Sequence, residues 1–571
     1  MEVFLGISAA EGTGIGTAFV IPEPVKRIIP QQRINIEQIS KGWSRFQVAV
    51  DTVTSRLSDN LNSLSKTSEK DKAQRDVFET YILMLGDPVF TKELHDFYEK
   101  ELYNIEYTVQ LKAEEYASRL RKSGNEYLAE RAQDITDVFG YVLDEMLDIH
   151  PFDINSVPDG SVILANSLSS ADTIILSKRK IAGLALSEGG VASHVVILAR
   201  NYGIPTVVGL DNISKKVKNG ETVIVDTKEG EILVCPDYDT IEEYKEKIYQ
   251  ENQRKLSLKK FLDKEAVTKD GTKFKLYANI GSPEEAETAL QEGADGIGLF
   301  RTEFLYMAQS GVSMNAAARS FDEESQFEAY KKVLEIMGDK PVTIRTLDAG
   351  GDKLINAVDI PSFNEKNPLM GLRAVRLSLK YPNVFKTQIR ALLRASIYGN
   401  LKIMFPLIST TEQVKDCLKL VDEVKEELEA SDIPFKKDVP IGIMVETAAA
   451  AVTSDCLAKI SDFFSLGTND LTQYTLAVDR ENPYTSKLYN EFSLSVLRLI
   501  QNTLNAAQEA GIPVSVCGEM AGRQESVMVL AGMGFRNLSM SPKLISSTKE
   551  LLSRFNIHEL EAISDKHLNN L

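Results

Sequence analysis

From about residue 272 onward the sequence alternates strand-like and helix-like stretches, and this alternation constrains the fold more than any other feature. Eight short apolar runs recur: FKLYANI, DGIGLF, PVTIRTL, LKIMFPL, IGIMVE, DFFSLG, PVSVCG and RNLSMS. Each is followed by sequence of helical character. Strands that alternate with helices build parallel sheets, because the helix is the crossover that returns the chain to the same end. Eight such units over about 300 residues predict a (β/α)8 TIM barrel. Chemistry in such barrels gathers at the C-terminal strand ends. Those ends read Asn279, Arg301, Arg345, Phe405, Glu446, then Gly467 to Asp470, Cys517 to Glu519, and Ser539.

The first half has a different texture. Ile36, Ile39, Trp43, Phe46, Val50, Val53, Leu57, Leu61 and Leu64 recur every three or four residues, which predicts a helix with one apolar stripe. Helical patterns continue past Phe78, Ile82 and Leu85 and on from Ile135 to Leu147, and proline is nearly absent between Pro30 and Pro151. An antiparallel helical bundle over residues 23–147 is expected. The runs SVILAN, IAGLALS, TVVGL, ETVIVDT and GEILVCP then predict a small α/β domain over 148–236. The first 22 residues read as one or two short strands of that same domain, so the bundle is an insertion. Residues 237–262 are densely charged and free of Pro and Gly, as expected of an exposed linking helix. The barrel follows over 263–571. The expected class is multidomain α/β.

Composition narrows the partners. The 571 residues carry 65 Lys and Arg against 82 Asp and Glu, a net charge of −17, which argues against a nucleic-acid partner. Cys235, Cys417, Cys456 and Cys517 have no paired C-x-x-C spacing, so a zinc site is not expected. The first residues, MEVFLGISAAEG, have no basic region followed by an apolar one. No apolar run approaches 18 residues. The expectation is a cytoplasmic protein with no membrane insertion.

Several residues at the strand ends carry chemistry. Arg301 and Arg345, with Arg480 in LAVDRENP, offer forked donors that match phosphate or carboxylate oxygens; the alternative is ordinary ion pairing. Glu446 and Asp470 are carboxylates on neighbouring strand ends, suited to Mg²⁺; alternatively Asp470 caps the helix that follows. Cys517 is either a packed thiol or a proton donor to carbon. His194, in EGGVASHVVILAR, is one of five histidines and stands where a glycine turn meets a helix. It is either a capped, satisfied histidine or a phosphoryl carrier, whose anion the helix N-terminus would stabilise.

The stretches GISA, GGVASHVVILARNYGIPTVVG, GIGLFRTEFLYM, RTLDAGGDK, NPLMGLRAVR, IMVETAAAA, SLGTNDLTQYTLAVDRENP and VCGEMAG span nearly the whole chain. In this order they resemble enzyme I of the bacterial phosphoenolpyruvate-dependent sugar phosphotransferase system. The resemblance implies phosphoryl transfer from phosphoenolpyruvate to His194, release of pyruvate, and onward transfer to a histidine of the small phosphocarrier protein HPr. It implies that Arg301, Arg345, Arg373 and Arg480 hold the substrate's phosphate and carboxylate. It further implies that Asn469 and Asp470 contact substrate, Glu446 and Asp470 bind Mg²⁺, and Cys517 protonates the enolate. The bundle would bind HPr and the barrel would form a homodimer. Three features depart from the family pattern: Ala192 in place of a Thr two residues before His194, Ala448 in place of a Pro, and a long segment within 308–321. A pyruvate–phosphate dikinase or a phosphoenolpyruvate synthase would need a large ATP-binding domain, and the bundle region has no Gly-rich phosphate loop. A non-catalytic phosphoenolpyruvate sensor would lack the reactive groups that are present here.

Overall fold

The computed structural model describes residues 1–22, 27–62, 69–121, 126–149, 154–177, 179–188, 194–303, 322–349, 365, 367–480, 482 and 484–569. The chain divides into two compact units, Met1–Gln253 and Arg254–Leu571.

In the first unit the leading residues form three strands rather than one or two: β1 (Glu2–Leu5), β2 (Ile7–Ala10) and β3 (Thr13–Val20). They join β4 (Ser161–Ala165), β5 (Gly183–Leu186), β6 (Thr206–Val208), β7 (Thr222–Asp226) and β8 (Glu231–Val234) in the order β1-β8-β7-β3-β4-β5-β6-β2. The sheet is parallel across β3, β4, β5 and β6, and antiparallel elsewhere. β1 and β2 are its two outermost strands, yet only Gly6 separates them in the chain. The sheet must therefore curl until its edges meet. Gly6 is the seam: its N–H donates to the Gly230 carbonyl at 2.8 Å, and a Cβ there would come within 2.6 Å of the Val208 carbonyl oxygen.

The bundle occupies the crossover between the parallel neighbours β3 and β4. Its helices are α1 (Ile39–Asn62), α2 (Glu69–Leu85), α3 (Pro88–Glu101), α4 (Ile105–Arg121) and α5 (Glu126–Met146). The apolar stripe of α1 behaves as its spacing predicts: Phe46, Val53 and Leu57 are buried, and Trp43, Val50 and Leu61 pack beside them. Ile36 lies in a preceding 3-10 turn and is exposed; Leu64 lies outside the described residues. The same core takes in Ala171 and Ile174 from α6 (Ser170–Ser177) and Leu198 from α7 (His194–Tyr202). Apolar contact with the bundle thus reaches the helix that begins at His194.

After α8 (Ile213–Lys216) and the last strands of this sheet comes the charged helix α9 (Tyr238–Leu258). Most of it is exposed, but Tyr244 is buried and donates its hydroxyl to Asp226 Oδ2 at 2.8 Å. An aromatic anchor fixes a helix whose charge pattern suggests only solvent.

In the second unit β9 (Ala266–Val267) lies antiparallel to β10 (Lys273–Ile280). β10 then begins a ring of eight parallel strands with β11 (Ile297–Arg301), β12 (Pro341–Arg345), β13 (Asn400–Phe405), β14 (Ile441–Val445), β15 (Phe464–Leu466), β16 (Val514–Val516) and β17 (Asn537–Met540). Pairing of β10 with both β11 and β17 closes it. The strands read as nearly continuous apolar runs because both faces are buried. Outward residues such as Ile344, Leu401 and Ile403 join the helices in the main core, while Leu299, Met404, Met444, Phe463 and Cys517 form a separate apolar cluster inside the ring.

Gly6→Ala should destabilise the first unit by about 1–3 kcal/mol, the usual cost of an added methyl that cannot be accommodated. Urea unfolding followed by the fluorescence of Trp43, the single tryptophan, measures it.

Candidate active site

The site is built on the ends of β11 and β12. Arg301 and Arg345 are register partners across this parallel ladder, so two guanidinium groups emerge side by side. Arg301 is exposed and pairs with none of the described carboxylates. Arg345 is buried, and its guanidinium meets Glu303 at 3.0 Å and Asp348 at 2.9 Å. Its Nε has no hydrogen-bond partner among the described residues. A buried, unpaired donor carries a desolvation cost, and it belongs where a ligand completes the bonding.

Asp348 couples the arginines. Its second oxygen accepts from Arg373 at 2.8 Å, and its backbone N–H donates to Glu303 at 2.9 Å. Arg373 also lies 3.9 Å from Asp470, and Arg480 lies 3.4 Å from the other oxygen of Asp470. Asp470 does not cap its helix: the N-cap of Thr468–Leu476 is Gly467. The side chain is committed to the arginines instead.

Glu446, directly after β14, is buried and accepts the Leu407 N–H at 2.6 Å. Burial pushes its carboxyl well above the usual range. The charges of Asp348 and Asp470 add to this, while Arg345 and the Leu407 N–H oppose it. One oxygen from each of Asp348, Glu446 and Asp470 lies within 4.8 Å of the others. This all-oxygen donor set fits a hard divalent cation. Gly467 leaves the space, since a Cβ there would sit 2.7 Å from Glu446 Oε2.

Asn469 is held by a two-way bond with Glu519: its amide donates to Oε1 at 3.1 Å, and its oxygen accepts the Glu519 N–H at 2.9 Å. Arg523 clamps Glu519 at 2.5 Å and buried Glu491 at 3.0 Å. Cys517, directly after β16, is 2% exposed among Leu299, Met404, Met444 and Phe463. Its thiol donates to the Leu466 carbonyl at 3.4 Å. Burial pushes that thiol up, and a bond with Ser465 and the positive field of Arg345 offset it in part. Cys517 is thus both packed and electrostatically coupled to the arginines.

Arg345, Arg373, Arg480, Glu446 and Asp470 form one connected group, with Arg301, Asn469 and Cys517 on neighbouring strand ends. His194 is the first residue of α7 in the other unit; its side chain, Ala192 and the segment 308–321 lie outside the described residues. Ala448 is the first residue of a helix capped by Thr447, a position where proline fits equally well. Sequence reasoning missed Asp348, Glu303, Glu491 and Arg523. For the first two a signal existed: each is an acid two or three residues beyond a strand-end arginine.

Residues 255–557 match the family described as PEP-utilising enzyme, PEP-binding domain. Residues 5–131 match PEP-utilising enzyme, N-terminal, and 157–230 match PEP-utilising enzyme, mobile domain. The phosphoenolpyruvate-protein phosphotransferase of Priestia megaterium is 37% identical over 99% of this chain and 96% of its own length. Those of Staphylococcus carnosus (strain TM300) and Bacillus subtilis (strain 168) are 37% and 36% identical over 98% and 100% of this chain, and over 95% and 97% of their own lengths. The chain belongs to the phosphoenolpyruvate-protein phosphotransferase family. A phosphoenolpyruvate-protein phosphotransferase handles a substrate with one phosphate and one carboxylate, and paired guanidinium groups beside clustered carboxylates suit both anions.

Burial and a raised pKa keep Cys517 protonated at neutral pH and slow to alkylate, because the thiolate is the nucleophile. Iodoacetamide at pH 8 should modify exposed Cys235 and Cys456 and spare Cys517 and Cys417. In urea all four should react. Peptide mass spectrometry gives the pattern, and modification of Cys517 at the rate of Cys456 in the folded protein would contradict it.

Proposed function

We propose that this chain transfers the phosphoryl group of phosphoenolpyruvate to His194 and then to a histidine of the phosphocarrier protein HPr, releasing pyruvate. The observation that carries the reading is the register pairing of Arg301 with Arg345 beside the Asp348–Glu446–Asp470 cluster. Like charges on adjacent strands with an unpaired guanidinium N–H call for an anion between them.

Arg301 and Arg345 neutralise the phosphate, and Arg373 and Arg480 complete the anion site with Asn469 and Asp470. Phosphoryl transfer depends on charge neutralisation and in-line placement more than on covalent help. Glu446 and Asp470 would hold Mg²⁺, with Asp348 alongside; the ion would supply further neutralisation of the phosphate. A nitrogen of His194 takes the phosphoryl group as the P–O bond to the enol oxygen breaks. The enolate that remains takes a proton at C3 from the Cys517 thiol, giving pyruvate, and the thiolate regains its proton from water. Cys517 is suited to this because burial keeps it protonated, while Arg345 is close enough to act on the thiolate that forms.

The remaining assignments follow the same reading. Residues 1–22 and 148–236 are the domain that carries His194, and 237–262 link it to the barrel. Residues 23–147 bind HPr, and 263–571 bind phosphoenolpyruvate and form the homodimer, in the cytoplasm. Among the described residues no helix is long and apolar enough to cross a membrane.

His194→Ala should bind phosphoenolpyruvate normally by calorimetry and take up no label from phosphoenolpyruvate labelled in its phosphate; undiminished labelling of that variant refutes the assignment. Cys517→Ala should bind phosphoenolpyruvate almost normally and phosphorylate His194 slower by two orders of magnitude or more, at the lower end of what general acids contribute. Single-turnover labelling of the folded variant decides this, and a rate within a fewfold of the parent rules out the proton-donor role.

A further inference from the structure

The interior of the barrel is not filled to its lower end. TIM barrels pack their centre with layers of bulky side chains. Here the N-terminal halves of the strands contribute small inward residues: Gly298, Thr343 and Ser515 line a cavity with Tyr277, Lys402 and Asn537. It holds about 50 Å³ of space for the centres of water-sized spheres, several times what one water needs. A Cβ at Gly298 would collide with Ser539 and Tyr277, so the wall is closely packed at that point. The apolar cluster of Leu299, Met404, Met444, Phe463 and Cys517 divides this space from the candidate active site at the other mouth.

Among the described residues, Lys402 is the only charged one on the cavity wall. Leu401 and Ile403 join the outer core, so strand alternation turns Lys402 inward. None of the described carboxylates forms an ion pair with it. Its ammonium lies 5.5 Å from the centre of the Phe463 ring. Burial alone pulls its pKa below the ordinary lysine value, which is the signature of a cation without a counter-charge. Tyr277 and Thr343 line the same cavity, while the Ser515 hydroxyl donates to Ser465 Oγ at 3.3 Å and the Phe464 carbonyl at 3.5 Å. Asn537 is already committed through its amide to the Val514 carbonyl at 3.0 Å.

We propose that this cavity at the N-terminal mouth of the barrel is a second anion site, which binds a small oxyanion, a carboxylate or inorganic phosphate, through the Lys402 ammonium and the hydroxyls of Tyr277 and Thr343. The charge supplies the attraction, the small neighbours supply the room, and the hydroxyls supply donors that a chloride ion uses less well than an oxyanion. The site is independent of the transfer chemistry at the opposite mouth.

Acetic anhydride modification of the full-length protein, mapped by peptide mass spectrometry, tests this at the residue itself. At constant ionic strength set with sodium chloride, inorganic phosphate or acetate should slow acetylation of Lys402 about fivefold once most sites are occupied. Exposed Lys273 should react unchanged. Protection by only one of the two anions supports the site and names its occupant class. Equal Lys402 rates in phosphate, acetate and chloride alone overturn the proposal. In thermal unfolding, Lys402→Met should lose part of the stabilisation that phosphate or acetate gives the parent, and Lys402→Arg should retain it. Full retention by a folded Lys402→Met overturns the proposal as well.

Discussion

Two like charges held side by side set the terms for the whole barrel mouth. Register places Arg301 next to Arg345, and burial denies Arg345 the water that would screen it. A buried guanidinium is tolerable only when it is paired. Glu303 and Asp348 provide that pairing, Asp348 in turn engages Arg373, and Arg373 and Arg480 approach Asp470. Each acid that steadies an arginine also lies near another acid, which leaves Glu446 strained toward its protonated form. The network balances charge without saturating it. Unspent donors such as Arg345 Nε, and carboxylates crowded within a few ångströms, are what an anionic substrate and a cation would complete.

Much of this was legible in the sequence, and the reason is physical. A strand buried on both faces must be apolar along its length, so a charged residue at its end stands out against the run. Arg301, Arg345, Glu446 and Cys517 all terminate such runs. Asp348 was harder to see, because it sits in an irregular stretch after β12 and acquires its role only when Arg373, 25 residues on, folds back against it. Glu491 and Arg523 were invisible for the same reason: their value lies in the chain of bonds to Glu519 and Asn469. Of the three strands in the first 22 residues, β1 and β2 have only four residues each and β3 carries two glycines, and they pair with partners about 200 residues away, so local pattern counted them low. Tyr244 shows the opposite limit, since a single buried aromatic in a charged helix leaves no periodicity to read.

The packing of Cys517 and the proton-donor role proposed for it do not compete. Its packing among methionine, leucine and phenylalanine side chains is that of a small hydrophobe, and the same packing keeps water out and the proton on. Inertness toward external reagents and the proton delivery proposed for this thiol would thus rest on one property. The apolar cluster around the thiol also separates the two ends of the barrel. The charges of the candidate active site at the upper end and Lys402 at the lower end lie on opposite sides of it.

The placement of the bundle between β3 and β4 shapes the order in which the first unit can assemble. When β3 leaves the ribosome, neither of its sheet neighbours exists, because β4 and β7 begin about 140 and 200 residues later. At synthesis rates of roughly 5–20 residues per second, β3 waits roughly 7–28 s for its first partner. An unpaired strand is a template for aggregation. The five helices made in that interval contact one another locally and need nothing from the sheet to begin packing. The insertion therefore turns a waiting period into a time when most of the emerged chain is already collapsed, with the strand that needs shelter attached to a folded body.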